Sequence, residues 1–182
     1  MTPFPTEQGF YVYDTHGWEP ARDIPMCFLI GKHASKYAVM RRRFCYVDKQ
    51  GVPHIVQIGF PFDGLTIPRL LWRVCGHPWG RNLAAGVIHD GLCAMAAALP
   101  PGDRRDLLRL HADRLFAEML EYLANPSFVV DTWYRAVRIG AWKSRNAPRG
   151  PDYITNLVGY YDALGLMDWY GWVNERIQRH AL

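Results

Sequence analysis

Long apolar runs, charge imbalance and paired cysteine motifs are all scarce in this chain of 182 residues. No stretch of about 18 apolar residues occurs, so no membrane span is expected. Twenty-one Lys and Arg face 17 Asp and Glu, a formal +4 that gives little pull toward an anionic partner. The basic residues are scattered apart from Arg41-Arg42-Arg43, and no aromatic-interleaved basic module is present, so nucleic acid is not an expected partner. On a strand, Arg41 and Arg43 would share one face and Arg42 the other. The four cysteines, Cys27, Cys45, Cys75 and Cys93, include no C-x-x-C pair, which argues against a zinc knuckle or a thioredoxin-type motif. Cys27, Cys45 and Cys93 sit among apolar neighbours and read as reduced thiols. The start, Met1 to Pro5, has neither a basic n-region nor an apolar core, so a signal peptide is not expected. No G-x-S-x-G is present to support a serine triad.

Aromatic residues, by contrast, are plentiful: 7 Trp, 10 Tyr and 8 Phe. A core absorbs some; the remainder predict contact surfaces, where Trp and Tyr are enriched. Tyr153, Tyr160, Tyr161, Trp169, Tyr170 and Trp172 crowd the C-terminal part and point to a partner surface for protein or glycan.

Length and composition predict one domain, 1–182, of α+β class: a small N-terminal antiparallel sheet packed on a C-terminal helical layer. Residues 1–25, with four prolines, read as an irregular arm holding at most a short strand at Phe10 to Tyr13. Residues 26–66 read as β-rich: Cys27 to Ile30, one long strand from Tyr37 to Val47, a turn at Asp48 to Gly51, and a returning strand from His54 to Phe60. Residues 67–182 read as helical. A short helix opens at Pro68 with Thr66 or Ile67 as its cap. Arg81 to Leu99 follows, stopped by Pro100-Pro101-Gly102. The next helix, capped by Asp103, carries the stripe Leu108, Ala112, Leu115, Phe116, Met119 and Leu123. Another runs from Val129 to Lys143, and a glycine-interrupted helical tail from Tyr153 to Arg179.

Three polar features stand out. Asp63-Gly64 closes the sheet. His89-Asp90 lies in an apolar helix, and His89 shares its face with Ala85, Gly86 and Cys93, small residues that leave room for a ligand or a close neighbour. Asp113 borders the stripe of the following helix, with His111 nearby. Imidazole and carboxylate are ligands for a divalent metal, and also a base with its orienting partner. The expected catalytic set is therefore His89, Asp90 and Asp63. The expected set for one divalent metal is Asp63, His89 and Asp113, and Thr66 and Arg138 support them. The alternative is structural, because a buried carboxylate demands a counter-charge. Arg135 and Arg138 stand in an apolar helix where either can supply it; Arg109 and Arg114 are local partners for an exposed Asp113.

The segments Phe62-Asp63-Gly64-Leu65-Thr66-Ile67-Pro68, Ile88-His89-Asp90, Ala112-Asp113-Arg114-Leu115-Phe116 and Ala136-Val137-Arg138-Ile139-Gly140 resemble domain-of-unknown-function family 1353 over about Val52 to Gly140. The resemblance implies a bacteriophage or prophage context. In that context the expected place of synthesis is the bacterial host cytoplasm, with virion association, and the C-terminal aromatics are the expected contact for virion proteins or a glycan or peptidoglycan surface. Two functions follow as expectations: a small hydrolase, or a non-enzymatic tail, baseplate or interaction protein in which the same residues hold the fold.

Overall fold

The computed structural model describes residues 4–28, 38–62, 64–65, 77 and 79–146. They form antiparallel sheets followed by three helices, the expected α+β order. Strands β1 (Gly9–Asp14), β2 (Gly17–Pro20), β5 (Phe44–Val47) and β6 (Pro53–Val56) make a four-stranded sheet in the order β2-β1-β5-β6. Strands β3 (Met26–Phe28), β4 (Ala38–Met40) and β7 (Pro61–Phe62) make a second, ordered β3-β4-β7.

Three expectations need correcting. The arm is not irregular: β1 and β2 form a hairpin, and β1 pairs with β5 to lie inside the main sheet. Pro5 and Pro25 fall outside the strands and Pro20 is the last residue of β2, where a missing N–H is tolerated. The single strand from Tyr37 to Val47 is two strands in different sheets, because the chain bends at Arg41-Arg42. The three arginines therefore lie between strands and share no strand face. The returning strand ends at Val56 rather than Phe60.

Alternation explains how the main sheet meets the helices. Phe10 lies opposite Tyr46 and Val12 opposite Phe44, while Phe44 pairs with Val56 and Tyr46 with His54. Residues two apart share a face, so these six side chains line one surface. Five of them belong to the main core cluster. The opposite face carries the smaller cluster of Tyr11, Cys45 and Val47.

Helices α1 (Leu83–Ala98), α2 (Asp103–Tyr122) and α3 (Ser127–Asn146) cover the first surface. Pro100 and Pro101 cannot extend α1, and Gly102, rather than Asp103, occupies the cap position of α2. The α2 stripe holds: Ala112, Leu115, Phe116 and Met119 are buried, with Leu108 and Leu123 packed at its margin. The small residues of α1 serve close packing. A Cβ on Gly91 would stand 2.8 Å from Val56 Cγ2, and one on Gly86 would collide with Leu65. At Gly86, the space expected beside His89 for a ligand is thus partly taken up by the Leu65 side chain. The expected helix opening at Pro68 and the C-terminal helical tail lie outside the described residues.

Candidate functional site

Asp113 is the centre of the polar constellation. It projects from α2 and is 1% exposed. Its Oδ1 accepts a hydrogen bond from His89 Nε2 on α1 at 2.9 Å, and its Oδ2 accepts one from Arg138 Nη1 on α3 at 2.8 Å. One carboxylate therefore ties three helices together. Asp113 is neither exposed nor paired with Arg109 or Arg114. The counter-charge comes from Arg138, one of the two arginines that sequence marked for this role; Arg135 is exposed.

His89 is 13% exposed at its side chain and packs its ring 5.1 Å from that of Phe116, which in turn meets Trp133 edge-on. Its Nδ1 lies 3.5 Å from Asp90 Oδ1. Asp90, its neighbour in sequence, turns toward solvent and is 42% exposed, so the pair is not buried as a unit. Burial opposes a charge on His89. The adjacent Cys93 sulfur and the bonds to Asp113 and Asp90 outweigh it and raise the imidazole well above its usual range. With His89 as imidazolium, the Asp113 carboxylate is balanced between two cations, His89 and Arg138, and Asp90 lies at the solvent edge.

That balance limits the chemistry. An imidazolium has no lone pair for a metal and cannot act as a base. Cys93 Sγ lies 3.6 Å from Nε2 and 4.0 Å from Nδ1 of His89. Nε2 already serves Asp113, so Cys93 and Asp113 do not occupy opposite ring nitrogens as a thiol–imidazole–carboxylate triad requires. Among the described residues no group of three or more His, Cys, Asp or Glu side chains is placed to hold a metal ion. Of the expected site residues, the structure brings together His89, Asp113 and Arg138 with Asp90 at the edge; Asp63 and Thr66 lie outside the described residues.

A second polar cluster carried no sequence signal beyond a turn. Asp48 is 4% exposed, and its Oδ1 accepts bonds from the backbone N–H of Gln50 and Val52. Its Oδ2 lies 2.9 Å from His54 Nε2, and the His54 ring meets that of His111 at 5.2 Å. The alternation of β6 could have placed His54 inward, since Val56 two residues on is plainly a core residue.

No helix among the described residues is long and apolar enough to cross a membrane. Searches of curated proteins and of solved structures gave no match. A family model described as "Protein of unknown function (DUF1353)" matches residues 38–137, a span that runs from β4 into α3 and includes His89, Asp90 and Asp113. The chain belongs to that family.

Proposed function

We propose that this is a non-enzymatic protein, a phage accessory or interaction module, in which His89, Asp113 and Arg138 form a charge-balanced lock between helices. The observation that carries this reading is the Arg138 guanidinium on Asp113 Oδ2 at 2.8 Å, the place a metal would need. A carboxylate held between an arginine and an imidazolium is satisfied; it is not poised to bind a cation or take a proton. Partners on this reading are virion proteins or a peptidoglycan surface, with the C-terminal aromatics as the contact. The hydrolytic reading retains one supporting feature, the half-exposed Asp90 beside His89 Nδ1.

Metal analysis of the purified chain, together with the variants Asp113→Asn and Asp90→Asn, separates the two. The lock predicts no stoichiometric divalent metal and a large loss of stability in Asp113→Asn. It also predicts copurification with virions in Asp90→Asn, as in the wild type. A bound metal in near-equal amount, lost in both variants, would overturn the structural reading.

A further inference from the structure

Helix α3 carries apolar side chains on two sides. One side meets the core: Val129, Val130 and Trp133 are buried, and Val137 packs against the core cluster. The other carries Phe128, Thr132, Arg135 and Ile139, spaced four, three and four residues apart, which sets them on one face. Phe128 is 60% exposed and Ile139 56%, although both are large and apolar. Arg135 between them is exposed as well.

The chain itself supplies a match for this face. Residues 147–182 follow α3 directly and lie outside the described residues. Within them Leu166, Tyr170, Val173 and Ile177 repeat the same spacing of four, three and four. Asp168, Glu175 and Arg179 fall on the opposite side of that pattern, as in an amphipathic helix. The spacing reads the same in both directions, so an antiparallel pairing matches all four positions at once. Ile139 then meets Leu166, and Phe128 meets Ile177, apolar on apolar. Thr132 meets Val173. Arg135 meets Tyr170, where a guanidinium over a phenol ring is a cation–π contact and gives the arginine a reason to stand in an apolar stripe. Residues 147–165, with Pro148, Gly150 and Pro151 at their start, provide the length and the turn chemistry for the return. Gly165 and Gly171 lower the segment's own helix propensity, so its order depends on what it packs against.

We propose that the outer face of α3 is the docking site for residues 166–177 of the same chain, laid antiparallel through these four pairs. Trp172 is not among the four, and it stays available for the outside partner to which the C-terminal aromatics are assigned.

Amide hydrogen exchange of the full chain, with its mass in solution measured by light scattering, tests the docking. Amides of residues 166–177 should be protected in the monomer at every concentration. Ile139→Glu, a change at an exposed position, should lower that protection roughly tenfold or more, while amides of α1 and α2 keep theirs. Val173→Glu, made on the segment, should have the same effect. Three results would each overturn the proposal: segment amides that exchange freely in the wild type, protection that survives Ile139→Glu and Phe128→Glu alike, or protection that appears only as the chain dimerises. The last would assign the face to a second copy.

Discussion

Arg138 donates to the same carboxylate that receives His89: the two cations meet Asp113 through different oxygens, at 2.8 and 2.9 Å, from different helices. The carboxylate itself is 1% exposed, whereas the Arg138 side chain is 42% exposed. That asymmetry sets the order of mutational costs. Asp113→Asn leaves two cations without their anion in a dry site and should cost about 3–5 kcal/mol. Arg138→Ala removes a charge-assisted bond made from a half-exposed side chain and should cost about 1–2 kcal/mol. Asp90→Ala, at the solvent edge, should cost less than about 1 kcal/mol. Urea unfolding of the three variants checks the order; an Asp90→Ala loss equal to that of Asp113→Asn would contradict it.

Ala124 ends α2 in the left-handed conformation, with φ 54°. The Ala124 and Asn125 amides donate back to Glu121 and Leu120, as at a helix end that glycine normally closes. An L-residue there costs about 1–2 kcal/mol, partly regained because alanine restricts the unfolded chain. Ala124→Gly should therefore stabilise the protein by about 0.5–1 kcal/mol. A thermal melt with a lowered midpoint would show that the conformation is not strained.

The class and helix order were legible because α1 and α2 carry long periodic patterns between strong stops such as Pro100-Pro101-Gly102. A counter-charge from Arg135 or Arg138 was legible because a cation in an apolar helix needs an anion; that the anion is a buried Asp113 and the cation Arg138 took the structure to show. The β1–β2 hairpin was hidden: Gly9, Gly17 and Pro20 signal irregularity, yet they fall at strand starts and ends. The split at Arg41-Arg42 was missed because arginine is tolerated in an exposed strand face, so three arginines between Met40 and Phe44 do not by themselves signal that the two halves join different sheets. The Asp48–His54–His111 cluster joins a turn, a strand and a helix, and no short spacing encodes such a meeting.

At Gly91, α1 lies close against Val56 of the main sheet. A methyl group added there would lie 2.8 Å from Val56 Cγ2, and Val56 is β-branched and 3% exposed, with little freedom to move. Gly91→Ala should gain helix propensity of about 1 kcal/mol but lose about 1–3 kcal/mol to overpacking, for a net destabilisation. Pairing it with Val56→Ala should recover part of that loss, since the two sites share one space. A Gly91→Ala protein more stable than wild type would mean that α1 can shift away from β6 at little cost.

His89 gives the lock a pH signature with a definite sign. Burial disfavours its charge, but the Cys93 sulfur and the bonds to Asp113 and Asp90 raise its pKa well above the unfolded imidazole value. A group whose folded pKa is raised adds stability that is complete below its unfolded value, about 6.5, and that disappears as pH climbs through the folded value. The loss therefore falls on the alkaline side, with a slope approaching 1.4 kcal/mol per pH unit where one proton is exchanged. His111 acts in the opposite sense below about 6.5, because its folded value is lowered. The raw stability profile mixes the two effects, so the informative quantity is the difference between wild type and His89→Gln. Urea unfolding followed by tryptophan fluorescence from pH 6 to 9 should show that difference largest near pH 6 and shrinking as pH rises. A difference that grew toward pH 9 would mean His89 is neutral in the folded protein, and the charge balance around Asp113 would then rest on Arg138 alone.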